Sequence, residues 1–336
     1  MNPEKRYIFD CIDGNTAGNP VRLVKSPKPV LHGQSMGERR IDFIKRFDWI
    51  RKGLVFEPRG HDMMSGGFYY PPIDSKNDLA IIFIETSGCL PMCGHGLIGL
   101  TTILLENDLV KPKIPNKLRI ETPSGLIEVT YSMQKNRVQW VRLLNVPSFL
   151  YKENLKIRLS SLGEVSVDIA FGGNFYAIVS PQNNYRDMAD YSVHDLIEMG
   201  RELRIIINED YTIIHPVDKQ IKGCSHVLWT GRPKKKCSSA RNAVLYGQNA
   251  IDRSPCGTGT SARMAQLFSK RELMLGDTFI HESIIGSTFK GGIEKLTRVG
   301  PFEAIIPSIE AKATVTGYNQ IILDPKEYFP QGFQVF

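Results

Sequence analysis

The chain has 336 residues, of which 42% are hydrophobic and 23% charged, and it carries a formal net charge of +7. That composition is ordinary for a globular protein, and the length suffices for about two domains that each bury a core. No run approaches the roughly 18 apolar residues needed to cross a bilayer, so no membrane association is expected. From Met1 to Asn15 the N-terminus is polar, passes through Asp10, Asp13 and Gly14, and shows no leader-type apolar stretch. A cytoplasmic location is therefore the expectation.

Positive charge is spread along the chain, and its longest run, Arg232–Lys236, reads as a solvated loop. No zinc-finger spacing or aromatic RNA-binding motif accompanies it, so no nucleic-acid partner is expected. An anionic small substrate suits the charge better. The six cysteines, Cys11, Cys89, Cys93, Cys224, Cys237 and Cys256, are too scattered for a disulfide framework. What matters is which of them reacts.

In chain order, a helix is predicted over Glu38–Ile50 and a strand over Asp78–Glu85. A helix follows Cys93, apolar nearly all round from Leu97 to Glu106. Strands are then predicted at Ile127–Tyr131, Val138–Leu144 and Val165–Ile169, and a helix over His194–Ile207. A strand at Asn242–Tyr246 precedes a second apolar helix, Thr260–Ser269, and a strand at Gln320–Leu323 lies near the end. Most strands are bounded by Gly, Pro or Asn. A helix without a polar face belongs inside a structure, here wrapped by sheet.

The two apolar helices share a signature. Pro91-Met92-Cys93-Gly94-His95-Gly96 opens one and Ser254-Pro255-Cys256-Gly257-Thr258-Gly259 the other, each after a strand. Cys-Gly-x-Gly at a strand-to-helix turn thus occurs once in each half, an internal pseudo-repeat. The crossing falls near Asn145–Ser148, between residues 146 and 160.

A helix start carries unpaired N–H groups and about half a positive charge. A cysteine there has its thiolate stabilised relative to a free pKa of about 8.5. The following glycines admit close approach of a ligand, and their N–H groups can cradle a carboxylate. Two such ends facing each other would place one sulfur on either side of a substrate Cα. One thiolate would remove the α-proton while the opposite thiol delivers another, inverting the centre. Fixed donors in a dry cavity would stabilise the carbanionic charge. The scheme requires no cofactor and no metal. His95, two residues after Cys93, and Asp252, four before Cys256, are placed to help hold one sulfur as thiolate and the other as thiol.

Other readings of these residues are weaker. A single buried cysteine is more often a small hydrophobe, and that reading stands for Cys11, Cys89, Cys224 and Cys237. Cys89-x3-Cys93-x-His95 resembles a zinc half-site but has no matching second pair. Gly257–Ala262 matches the dinucleotide pattern G-x-G-x-x-A, yet Pro255 and Cys256 interrupt the strand-to-turn run and no βαβ alternation follows.

These residues bring out a family likeness. The chain resembles the proline racemase family, and within it the 4-hydroxyproline 2-epimerases, along nearly its whole length. The likeness is carried by Asp13–Arg22 (DGNTAGNPVR), Phe56–Gly66 (FEPRGHDMMSG), Glu85–Gly96 (ETSGCLPMCGHG), Gly172–Val179 (GGNFYAIV), Asp252–Arg263 (DRSPCGTGTSAR) and His281–Ser287 (HESIIGS). It implies an α/β (α+β) diaminopimelate epimerase-like fold of two pseudo-symmetric halves, each a curled sheet around a central helix. Residues 1–150 with about 300–336 would form the half carrying Cys93, and 151–299 the half carrying Cys256, with the active site in the cleft between them. The final strands, after about Val299, would return to the first half.

The resemblance further implies that Cys93 and Cys256 are the acid–base pair and that Gly94, His95, Asp252, Gly257 and Thr258 contact substrate. A hydroxyl residue replaces the second cysteine in the related dehydratases, so Cys256 argues for racemisation or epimerisation. Family proline racemases place Phe where Ser65 stands and lack a histidine at the position of His226. Ser65, His226 and Tyr246 would then form a polar wall for a ring hydroxyl. An unpaired polar group facing plain proline would cost about 1–3 kcal/mol. One departure is Asn15, where the family usually carries His; an asparagine cannot titrate. The expected activity is epimerisation of trans-4-hydroxy-L-proline to cis-4-hydroxy-D-proline, with a small amino acid as partner and a homodimer admitted by the resemblance. Proline racemase is the alternative, followed by a dehydratase or a non-catalytic binding protein on the same scaffold.

Overall fold

The computed structural model describes residues 4–335; Met1–Pro3, which begin the polar N-terminal stretch, and Phe336 lie outside the described residues. The chain divides into two compact units. One runs to Leu143 and resumes at Ala311, and the other is Leu144–Glu310. Among the described residues, no helix is long and apolar enough to cross a membrane.

The first unit contains, in order, β1 (Tyr7–Thr16), β2 (Asn19–Ser26), α1 (Met36–Val55), β3 (Ser65–Tyr70), β4 (Leu79–Glu85), β5 (Gly88–Leu90), α2 (Gly94–Glu106), β6 (Lys117–Thr122), β7 (Gly125–Gln134) and β8 (Arg137–Leu144). β1 runs antiparallel to β2 and to the C-terminal strand Ala313–Leu323. β2 is parallel to β3, and β3 antiparallel to β4. β4 is antiparallel to β5 and parallel to β6, which hairpins onto β7.

The second unit contains β9 (Ser148–Leu159), β10 (Gly163–Phe171), β11 (Phe175–Val179), α3 (Val193–Asp210), β12 (His226–Gly231), β13 (Ala240–Tyr246), β14 (Ala250–Ile251), α4 (Gly257–Ser269), β15 (Thr278–Glu282), β16 (Thr288–Val299) and β17 (Phe302–Ala311). Its ladder repeats the first. β10 pairs antiparallel with β11 and β9, and β11 lies parallel to β12. β12 pairs antiparallel with β13, which pairs with β14 and, in parallel, with β15. β15 is antiparallel to β16. β9 thus occupies the place that β18 (Ala313–Leu323) holds in the first unit.

Each unit wraps its sheet around one helix. α2 packs against β1, β2, β3 and β18, and α4 against β9, β10, β11 and β16. Every residue of α2 except Glu106 is buried, and every residue of α4 except Arg263 and Ser269. By contrast, α3 buries the stripe Leu196, Met199, Gly200, Leu203 and Ile207, the spacing of a helix with one face inward. Ser192 and Asp195 close its N-terminus in a reciprocal capping box.

The boundaries differ from the sequence reading at both ends of the second unit, which begins at Leu144, ahead of residues 146–160. The return to the first unit comes at Ala311, one strand later than Val299. β17 folds back on β16 through a hairpin in which Val299 opposes Phe302, and it also pairs with β9. Gly300 takes φ +56° in that turn, a region open to glycine without strain.

Candidate active site

The two Cys-Gly-x-Gly turns stand at equivalent points of the duplicated ladder, each between a short strand and the central helix. Cys93 is the N-cap residue of α2 and Cys256 that of α4. Each is about 5% exposed, so both sulfurs lie in dry surroundings at the positive end of a helix. Gly94 and Gly257 occupy the first helical positions. A Cβ on Gly96 would stand 2.8 Å from Cys93 Sγ, and one on Gly259 3.1 Å from Cys256 Sγ. The last glycine of each motif is therefore what makes room for the sulfur.

In the first unit Cys93 Sγ lies 3.8 Å from His95 Nδ1 and 3.9 Å from Nε2. His95 Nε2 is flanked by Ser65 Oγ at 2.8 Å and the side-chain amide of Asn19 at 3.0 Å. Ser65 donates its proton to the carbonyl of Pro20 at 2.8 Å, which leaves its oxygen as an acceptor. Glu85, buried at the end of β4 and opposite Ser65 in the ladder, accepts from Ser87.

Of four corresponding positions in the second unit, three carry other chemistry and one is again asparagine. Thr258 takes the place of His95, two residues after the cysteine. Asn174 takes that of Asn19, each asparagine following a glycine. His226 opens β12 as Ser65 opens β3, and its partner in the parallel ladder is Tyr176, whereas that of Ser65 is Val21. Tyr246 ends β13 as Glu85 ends β4. The rings of Tyr176, His226 and Tyr246 form a row, with centroids 4.7 and 6.4 Å apart. His226 Nδ1 lies 2.7 Å from Ser225 Oγ.

Cys256 has φ +64° and ψ 116°, a backbone conformation that non-glycine residues rarely take and that clusters at functional sites. Its Sγ accepts from Gly259 N–H at 3.4 Å and lies 3.3 Å from the Tyr176 hydroxyl. Burial pushes the Cys256 thiol up, the negative charge of Asp252 adds to this, and hydrogen bonds from Tyr176, Gly259 and Thr258 oppose it. Asp252 Oδ1 accepts from both the N–H and the hydroxyl of Ser254, each at 2.8 Å, and Ser254 Oγ in turn accepts from Cys256 N–H at 3.1 Å. Asp252 thereby shapes the turn that presents the sulfur.

The remaining cysteines fall outside these turns. Burial pushes the thiols of Cys11, Cys89 and Cys224 up to about 12, and Cys237 is exposed. No three or more His, Cys, Asp or Glu gather as metal ligands would among the described residues. The basic run at Arg232–Lys236 is anchored from beneath, with Lys234 and Lys235 donating backbone N–H to buried Glu282 at 3.1 and 3.0 Å. The sequence reading did not single out Asn19, Asn174 or Tyr176. The duplicated Gly-Asn dipeptide, Gly18-Asn19 and Gly173-Asn174, was the available signal.

The duplicated α/β unit, with a cysteine capping each central helix, is the fold that the sequence leads one to expect. Residues 11–334 match the proline racemase family, and the chain belongs to it. It is 55% identical over 329 residues to a "Probable 4-hydroxyproline 2-epimerase" of Rhizobium meliloti (strain 1021), covering 98% of this chain and 99% of that protein. It is equally similar, over 330 residues and with the same coverage, to a "4-hydroxyproline 2-epimerase" of Ancylobacter novellus. Among solved structures, a hydroxyproline epimerase from Agrobacterium vitis with bound trans-4-hydroxy-L-proline superposes with a TM-score of 0.89. Its identity is 28%, with 98% of this chain and 96% of that one covered.

Proposed function

We propose that this protein reversibly inverts Cα of trans-4-hydroxy-L-proline to give cis-4-hydroxy-D-proline. Cys93 and Cys256 act as the acid–base pair. What carries this reading is the pair of buried cysteines at equivalent helix N-termini of the duplicated unit. The names of the 55%-identical relatives supply the substrate. In the L-to-D direction one thiolate takes the α-proton and the other thiol returns a proton to the opposite face, so neither charge nor atoms are left over. Backbone N–H groups at the two helix starts, beginning with Gly94 and Gly257, hold the carboxylate and stabilise the charge that builds on it as the proton leaves. No step calls for a metal or an organic cofactor. His95 and Asp252 govern the state of the sulfurs, and Thr258 completes the second cradle.

Hydroxyproline is preferred over proline through the polar residues Ser65, His226 and Tyr246. Because Ser65 gives its proton to Pro20, it meets a ring hydroxyl as an acceptor, and His226 carries more of the discrimination. Proline racemase is the second reading, favoured to the extent that Ser65 is already satisfied by Pro20 and His95. Optical rotation of purified protein with each amino acid separates the two. Inversion of trans-4-hydroxy-L-proline at least about fivefold faster than of L-proline is expected, since one unpaired buried polar group is worth about 1–3 kcal/mol. Faster inversion of L-proline would overturn the substrate assignment.

A further inference from the structure

The two cysteines have different hydrogen-bond neighbours, and the difference is directional in the second unit. Asn174 Nδ2 donates to Thr258 Oγ1 at 3.5 Å. Thr258 Oγ1 lies 2.5 Å from the Tyr176 hydroxyl, which lies 3.3 Å from Cys256 Sγ. An amide N–H can only donate, so the threonine oxygen receives it and the threonine proton is available to the tyrosine oxygen. With the threonine proton given to the tyrosine oxygen, the tyrosine proton is left for the sulfur. In the first unit the ladder position of Tyr176 is held by Val21, and the sulfur of Cys93 meets an imidazole instead.

We propose that Tyr176 is a positioning residue that ends a one-way relay, Asn174 to Thr258 to Tyr176, and donates its hydroxyl proton to Cys256, favouring the thiolate at that sulfur. The proposal rests on the epimerase reading only for its consequence in turnover; the sulfur's titration is independent of any substrate. Tyr176 is fully buried on β11 and its ring packs on His226 of β12, so the hydroxyl is held in place and not swept through solvent. The other groups that bear on Cys256 are Asp252, which opposes ionisation, and the Gly259 N–H, which favours it; Thr258 Oγ1 lies farther off, at 3.9 Å, and with its single proton turned to Tyr176 acts on the sulfur through that hydroxyl. Cys256 and Tyr176 belong to one buried apolar cluster with Ala170, Ile178, Leu228, Val244 and Ala262. Tyr176 and Thr258 are thus the hydroxyls that offset burial and Asp252.

The sign follows directly. Removing a donor to the thiolate raises the thiol's pKa, so at a fixed pH below it less thiolate is present. The test is the pH dependence of iodoacetamide alkylation at Cys256 and Cys93 in the full-length protein, read peptide by peptide by mass spectrometry without substrate. Tyr176→Phe keeps the ring and removes the hydroxyl. Its Cys256 profile is expected to move up by about one pH unit, a tenfold loss of thiolate below the midpoint, with the Cys93 profile unmoved. Thr258→Val removes the partner that orients Tyr176, and a smaller shift in the same direction is expected. It serves as the test if Tyr176→Phe does not fold. A Cys256 profile unchanged in the variant that folds, or an equal shift at both cysteines, would overturn the relay. If wild type inverts no amino acid, the epimerase reading fails while the alkylation comparison still decides the role of Tyr176. If wild type turns over, the acid limb of kcat/KM in Tyr176→Phe is expected to shift in step with Cys256.

Discussion

Cys93 and Cys256 are each backed by a glycine three residues on whose missing side chain is filled by the sulfur itself. At Gly96 the fit is the tighter: a methyl group would stand 2.8 Å from Cys93 Sγ and 3.3 Å from its Cβ, closer than nonbonded atoms approach. Gly96→Ala must therefore turn the cysteine out of place. Displacing a reacting atom by even about 1 Å costs on the order of 10²-fold in rate. The expected result is a loss of kcat/KM of that order with a thermal midpoint near wild type, checked by polarimetry and differential scanning fluorimetry. Undiminished turnover would show that the sulfur's position is not fixed by this glycine. The cysteines, their glycines, His95 and Thr258 were all legible in the sequence because consecutive residues carry them. Tyr176, Asn174 and Asn19 were not, because they reach Cys256, Thr258 and His95 respectively from about 80 residues away in sequence. Ser65 was legible as a polar residue but not in its partners, since its bonds to Pro20 and His95 exist only once β2, β3 and α2 are packed together.

At the scale of elements, α1 and α3 do the same work in the two units. Arg51 of α1 is buried and donates to the carbonyls of Glu85 and Thr86, where β4 turns into β5. Arg204 of α3 donates to the carbonyl of Gly247, where β13 turns into β14, and to that of Ser225. These turns lead straight to the cysteine motifs, so an outer helix steadies each one from behind. Replacing either arginine by leucine strands buried carbonyls at a cost of about 1–3 kcal/mol. A lower urea midpoint with an unchanged slope is expected for Arg51→Leu and Arg204→Leu, and an unaltered midpoint would contradict the assignment. The helices themselves were readable from their apolar spacing, and α1 runs on to Val55 because its last turn, Gly53–Val55, is buried. β16 was hidden by Gly291 and Gly292. A Cβ on Gly291 would lie 2.9 Å from Met264 Sδ, so the glycine that weakens the strand signal is what lets α4 pack there.

Over the whole molecule, the duplicated Cys-Gly-x-Gly motif was enough to reveal the repeat of the fold, and the shared strand ladder extends that repeat to nearly every element. What the sequence could not display is how differently the copies are equipped. One sulfur sits beside His95, whose ring Asn19 and Ser65 flank, the other beside Tyr176, Thr258 and a turn shaped by Asp252. A reaction that runs in both directions needs two sulfurs in opposite protonation states, and unlike surroundings are a physical means of keeping them so. The central claim is that the proton removed and the proton delivered belong to different cysteines. It is tested most directly by running the conversion of trans-4-hydroxy-L-proline in D2O to a few per cent and measuring deuterium in product and in recovered substrate by mass spectrometry. Two separate cysteines predict product labelled at Cα and recovered substrate unlabelled. Early deuterium in the recovered substrate at a level matching the product would mean that one group serves both faces, and would contradict the account.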